Sequence, residues 1–121
     1  MKIFNLTQHQ ATAEQALAGV IDPCPELKAK VSKLLTFDKI PSIGEMFNRA
    51  AQLLCLAERE GYECVLLGGA PFFMAALEAA LVRFDMRGFY AFSMRESIEE
   101  VMADGSVRKV GVFRHVGFVE A

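Results

Sequence analysis

Glu63-Cys64-Val65-Leu66-Leu67-Gly68-Gly69-Ala70-Pro71-Phe72-Phe73-Met74 is the stretch that decides the fold. Cys64 to Leu67 form an apolar run of strand length. Two glycines follow. Pro71 then suits the first turn of a helix, where its missing N–H would lack a partner in any case. From Phe72 to Phe84 only Glu78 and Arg83 are charged. The stretch predicts a buried strand, a tight turn and a helix start. In open α/β sheets ligands gather at such carboxyl ends of strands, and N–H groups at a helix start attract anions, phosphates especially. The same glycines would serve a purely structural turn equally well, and the full GxGxxG dinucleotide fingerprint is missing.

A second handover of the same kind lies at the start of the chain. Residues Lys2 to Leu6 read as a strand, and the polar Thr7-Gln8-His9 leads to Thr12, a good helix N-cap. Gln15, three residues on, completes a capping-box pattern. The helix this predicts, Ala13 to Ala18, is short, and Gly19 stops it. Val20-Ile21-Asp22 has the makings of a brief strand. Pro23 and Pro25 break the backbone, and Glu26 to Leu35 can form a helix with Leu27, Val31, Leu34 and Leu35 on one side. Thr36 to Pro41 reads as a linker held down by Phe37 and Ile40. Ser42 with Glu45 is another capping box, opening a long helix that Gly61 ends. Its inward stripe is predicted as Phe47, Ala50, Ala51, Leu54 and Ala57, with Asn48, Arg49, Gln52, Glu58 and Arg59 on a solvated face.

The helix to Phe84 carries too many large apolar residues for one stripe: Phe72, Phe73, Met74, Leu77, Leu81, Val82 and Phe84. Such a helix is buried on more than one side, so either a second subunit or the C-terminal segment covers it. The first alternative is a homodimer. Arg87 to Phe92 reads as a third strand, rich in aromatics, and passes into the polar Ser93-Met94-Arg95-Glu96-Ser97. Asp104-Gly105 is the strongest short hairpin signal and joins Ile98–Met102 to Val107–Val119. Arg114 and His115 interrupt that last apolar segment. Each must find a partner or face water, as on an edge strand with one wet face.

With 121 residues the chain suffices for one domain with a real core. Hydrophobic residues make up 53%, net charge is −2 and the pI is about 5.7. That balance argues against sequence-blind binding of duplex nucleic acid, which needs a basic face, yet leaves room for a small anionic ligand. There is no apolar run long enough to span a membrane and no secretory leader pattern. Cys24, Cys55 and Cys64 form no CxxC pair, which points to reduced thiols in the cytoplasm; Cys55 and Cys64 read as small core residues. Two histidines and three scattered cysteines give no metal-ligand spacing, and no cofactor is expected.

Strand–helix alternation followed by a strand and a hairpin predicts an α/β fold, a small Rossmann-like three-layer sandwich with a mainly parallel sheet and a C-terminal β-hairpin. The first, central and third strands would be parallel, with carboxyl ends on one edge. Three clusters would then converge there: Thr7-Gln8-His9, Gly68-Gly69, and Ser93 with Arg95. This chemistry suits a phosphate ester. Arg95 can bind a phosphate through two hydrogen bonds. His9 can act as acid or base near neutral pH, and Ser93 or Thr7 can donate to a non-bridging oxygen. The G-x-S-x-G elbow of an acyl-enzyme mechanism is missing.

Three pieces in this order resemble a small CRISPR-associated family, the ring nucleases related to the Rossmann-like CARF domains. They are Phe4-Asn5-Leu6-Thr7-Gln8-His9 with Thr12 and Gln15; Leu67-Gly68-Gly69; and Tyr90-Ala91-Phe92-Ser93-Met94-Arg95-Glu96 with Glu99, Asp104-Gly105-Ser106-Val107 and Phe113-Arg114-His115-Val116-Gly117-Phe118. Both ends of the chain take part, while residues 20–60 lie outside the match. The resemblance implies a homodimer that binds a cyclic oligoadenylate ring across its two-fold axis. It also implies metal-independent cleavage by attack of a ribose 2′-hydroxyl on the neighbouring phosphodiester. His9, Ser93 and Arg95 would be catalytic, with Thr7, Gln8, Thr12, Gly68, Gly69, Pro71 and Glu96 binding the ligand. One departure stands out: Gln8 occupies the place before His9 where the family pattern has serine. A nucleotide sensor without turnover and a ligand-free interaction domain remain open beside the enzyme reading.

Overall fold

The computed structural model describes the whole chain, Met1 to Ala121. Its elements are β1 (Ile3–Asn5), α1 (Ala13–Leu17), β2 (Val20–Ile21), α2 (Pro25–Leu35), α3 (Ile43–Arg59), β3 (Cys64–Leu67), α4 (Pro71–Phe84), β4 (Arg87–Val101) and β5 (Val107–Glu120). One five-stranded sheet has the order β2-β1-β3-β4-β5. The first four strands are parallel, and β5 pairs antiparallel to β4. This is the α/β architecture that the strand–helix alternation predicts.

The chain steps outward from β1 to β2, then crosses back over β1 to reach β3. Right-handed crossovers in opposite directions lie on opposite faces of a sheet. Side-chain alternation along the strands agrees. Phe4, Val65 and Leu67 point into a core shared with α2, α3 and α4, whereas Ile3, Cys64, Leu66 and Phe89 form a smaller cluster on the other face. Only Ala11 and Phe118 pack against that second cluster from outside, so the third layer is thin.

The Thr12–Gln15 capping box forms in full and the Ser42–Glu45 box only by half. The Thr12 hydroxyl accepts from the Gln15 N–H at 3.1 Å and the Gln15 side chain returns a bond to the Thr12 N–H. Ser42 accepts from the Glu45 N–H, but the Glu45 carboxylate turns to Arg49 instead of back to the cap. Two stripes differ from expectation. On α3 the buried residues are Ala50, Leu53, Leu54 and Ala57, while Phe47 stays exposed. On α4 they are Phe73, Ala76, Leu77, Ala80 and Leu81, while Phe72 and Val82 stay exposed. Cys64 is buried and Cys55 is only partly so.

The largest difference lies in β4. The expected break after Phe92 does not occur: β4 runs without interruption to Val101, absorbing all of the Ile98–Met102 segment except Met102. Its partner β5 pairs with it down to Val107, with one register shift at Phe92/Ser93 where Val116 bulges out. Ser93 to Ser97 are polar but extended, since each has a cross-strand partner. Asp104-Gly105 does make the turn, within a five-residue connection where Gly105 takes φ 85° and the Asp104 carboxylate accepts from the Ser106 N–H. β5 is the edge strand, and the Arg114 side chain reaches Glu96 and Glu14 there. No helix is long and apolar enough to cross a membrane.

Candidate functional site

The crossing of the chain puts the topological switch point between β1 and β3, where helices leave in opposite directions and a crevice opens beyond the strand ends. A cleft of about 210 Å³ lies there. Thr7, Gln8, His9 and Gln10 from the loop after β1, Gly68 and Gly69 after β3, Gln15 of α1 and Ala91 of β4 line it. Two of the three predicted clusters thus meet.

The His9 loop is held from below. Asn5 is buried and its side chain is fully engaged: the amide nitrogen donates to the His9 carbonyl and to Asp22 Oδ1, both at 2.8 Å. Its oxygen accepts from the Thr7 N–H at 2.9 Å and the Thr7 hydroxyl at 2.7 Å. Asp22 also accepts from the Ala11 N–H. The Lys28 ammonium donates to the carbonyls of Thr7 and His9. Burial pushes the Lys28 pKa below its ordinary value, and the charge of Asp22 opposes that shift. These bonds all hold the backbone, so the His9 ring is left facing solvent at the cleft with no hydrogen bond of its own.

Opposite stands the turn before α4. Gly69 has φ 153°, and Gly68 sits so close to Thr7 that a Cβ would fall 3.0 Å from its Cγ2, a contact tight enough to displace the Thr7 side chain. Pro71 occupies the first turn of α4 and no side chain caps the helix. The N–H groups of Gly68, Gly69, Ala70 and Phe72 find no acceptor within the chain. Of these residues Gly68 and Gly69 line the open cleft, and free donors at a helix start suit an anion.

Several predicted site residues lie differently. The Thr7 hydroxyl is turned to Asn5, and the Gln8 amide donates to the Thr36 hydroxyl at 2.9 Å. Thr12 serves as the cap of α1. Ser93, Arg95 and Glu96 do not line the cleft. Leu67 pairs with Tyr90, so Ser93 is three residues past the end of β3 and Arg95 five, about 10 and 17 Å along an extended strand. The Arg95 guanidinium lies over Gly111, where an added Cβ would be 2.7 Å from its Nη2. Glu96 pairs with Arg114. The convergence expected of the third cluster fails because β4 continues as a hairpin strand instead of ending at the sheet edge.

Sequence reasoning passed over the Asn5–Asp22–Lys28 support, since nothing in the spacing joins three residues on three elements. It marked His115 only as a residue in need of a partner or of water, and gave it no place in the site. This residue pairs directly across from Ser93, packs at 4.8 Å on Phe118, and has a buried Nδ1 without a partner. Its signal was visible as a polar break in an apolar strand. No group of three or more His, Cys, Asp or Glu side chains is placed to hold a metal ion.

Fold and site together define a small, mainly parallel α/β domain with an open cleft at the switch point of its sheet. The chain belongs to the uncharacterized protein MJ1673 family, whose model matches residues 1–119. No curated protein and no solved structure matches it.

Proposed function

We propose that the cleft binds a phosphodiester of a cyclic oligoadenylate and that the protein is a metal-independent ring nuclease acting as a homodimer. The observation that carries the phosphate part is the unpaired N–H groups of Gly68 and Gly69, which line the cleft together with a free His9. The nature of the ligand rests on the sequence resemblance. A cleft of about 210 Å³ is smaller than the roughly 300–1,000 Å³ of a pocket that engulfs a drug-sized ligand. It therefore takes one phosphodiester step, with the rest of the ring outside.

In this reading the ribose 2′-oxygen forms a new bond to phosphorus and the bond from phosphorus to the 5′-oxygen breaks. The products are a 2′,3′-cyclic phosphate and a 5′-hydroxyl. The proton leaving the 2′-hydroxyl and the proton gained by the 5′-oxygen pass through a general base and acid. His9 is the titratable side chain placed to serve. The backbone donors stabilise charge on the non-bridging oxygens.

A second reading is a sensor that binds without turnover. What favours it is the engagement of Thr7 and Gln8 within the loop and the position of Ser93 and Arg95 past the cleft. Incubation with cyclic tetra-adenylate in EDTA, read by HPLC and mass spectrometry, separates the two. Linear products ending in a cyclic phosphate support the nuclease. Intact ring that co-elutes with the protein supports the sensor, and intact ring with no association removes both.

A further inference from the structure

Residues three apart on a regular strand point to opposite faces. His115 and Phe118 are three apart on β5, yet their rings lie 4.8 Å from each other. The bulge at Val116 is the reason. It sets His115 across from Ser93 and Phe118 across from Ala91, and so turns both rings to one face. Contacts fix which face this is. Phe118 packs edge-on against Phe89 at 6.3 Å, and Phe89 belongs to the smaller core cluster. Ala91, on the same face of β4, lines the cleft. The cleft therefore opens onto this side of the β4–β5 pair, where Ser93 lies two residues, about 7 Å, farther out.

Two groups on that face have no partner. His115 Nδ1 is buried and makes no hydrogen bond, the one buried side-chain nitrogen or oxygen in the chain left so. Arg95 is the other. Arg87, Arg108 and Arg114 of the same two strands each pair with a glutamate, at 2.6, 3.2 and 3.3 Å. Arg95 forms no ion pair; it is exposed, with its guanidinium laid over Gly111. Glu99, the next acid on this face, stands across from Lys109. The face thus keeps an uncompensated positive charge in a chain whose net charge is −2.

The Ser93 hydroxyl stands across from the orphaned nitrogen. Directly opposed side chains on paired strands are about 5 Å apart at Cβ, and a hydroxyl rotates to suit its partner. When it donates to Nδ1, the imidazole proton is held on Nε2, which then serves as a donor on the accessible edge of the ring. An oriented imidazole and a free guanidinium follow one another along the strands that lead out of the cleft. A row of donors beyond a site for one phosphate fits a ligand that carries several.

We propose that this face binds the phosphodiesters that remain outside the cleft. His115 and Arg95 make the contacts and Ser93 positions the imidazole, so the protein selects an oligonucleotide over a mononucleotide. The inference rests on the phosphate reading of the cleft and extends it to the rest of the ligand.

Calorimetric titration with cyclic tetra-adenylate and with adenosine monophosphate tests it, in a His9→Ala background where the ring persists. The ring should bind more tightly than the mononucleotide. His115→Phe, which keeps the packing on Phe118, and Arg95→Ala should each weaken ring binding by about tenfold, the scale of a bond to a charged group. The preference for the ring over the mononucleotide should shrink by the same factor. Arg108→Ala, whose side chain pairs with Glu100 on the opposite face, should leave that preference intact. Arg95→Ala should also reduce the slope of log affinity against log salt by about 0.7, the value for one phosphate contact of a single strand. Should His115→Phe lose its fold by circular dichroism, the exposed Arg95 carries the test through affinity and salt slope. Ring binding untouched by both variants, or a ring bound no more tightly than the mononucleotide, overturns this extension and leaves the cleft reading standing. A protein that binds neither ligand overturns the cleft reading and the extension with it.

Discussion

The Lys28 ammonium donates to the backbone carbonyl of His9 at 2.8 Å and, with the same nitrogen, to that of Thr7 at 2.7 Å. A side chain on α2 thus fixes the loop after β1 on which the free imidazole sits. Asn5 supplies a second bond to the same His9 carbonyl. The loop is aimed by its backbone, and the ring is left for chemistry.

Lys28→Met is expected to loosen residues 7–11. Amide hydrogen exchange there should rise, and stability should fall by about 1 kcal/mol, the scale of bonds to a partly exposed charge. The pH dependence has a definite sign. Burial lowers the Lys28 pKa from 10.5 in the folded chain, so the unfolded chain binds that proton more tightly. Below its folded pKa the charged side chain is held less favourably than the neutral one would be, and that penalty fades as pH climbs toward 10.5. Tm against pH, wild type beside Lys28→Met, should lose this alkaline rise in the variant.

His9→Ala should lower turnover of cyclic tetra-adenylate by roughly 100-fold, the low end for loss of a general acid or base. Since the ring bonds to nothing in the protein, stability should change by less than about 0.5 kcal/mol. Arg95→Ala, whose side chain lies over Gly111 outside the cleft, should weaken binding less than His9→Ala slows cleavage. Single-turnover kinetics measure both, and an unaltered His9→Ala rate removes the imidazole from the mechanism.

Gly88 sits where β4 passes under α4. An added methyl would clash with Leu81 Cδ1 and fall 2.9 Å from Leu67 Cδ1, both in the main core. Gly88→Ala is expected to cost about 1–3 kcal/mol, as overpacking of a closed site does. Gly61→Ala is the contrast: its Cβ meets nothing, but φ is 84°, so its cost is backbone strain alone. Urea unfolding of the two variants separates the mechanisms.

The Tyr90 hydroxyl donates to Glu78 at 3.0 Å. Burial first, then the bond and charge of Glu78, push its pKa up to about 12. The folded chain therefore keeps a proton that the unfolded chain releases near 10.0. Stability from this group is whole below 10.0 and drains away as pH rises to about 12. Tyr90→Phe should flatten that part of the alkaline stability curve, and a phenolate titration followed by absorbance should lose its latest component.

Local chemistry in the sequence determined much of this molecule. The four-residue strand Cys64–Leu67, the Gly68-Gly69 turn, Pro71 at the head of α4 and the Thr12–Gln15 box all formed where their residue types require, because each involves neighbours a few positions apart. The meeting of His9 with Gly68 and Gly69 was legible too, since it follows from parallel strands ending on one edge. Tertiary structure decided the rest. The polarity of Ser93 to Ser97 reads as a loop until β5 is there to pair with every residue of it. Leu53 lies in the core while Phe47, near the start of α3, stays exposed, a difference that depends on where the neighbouring elements end and not on helical spacing. The Asn5–Asp22–Lys28 support joins three elements whose separation in the chain carries no periodic signal. Hydrogen bonds between distant residues depend on where the crossovers bring them, and that is settled only when the sheet closes its order around β1 and β3.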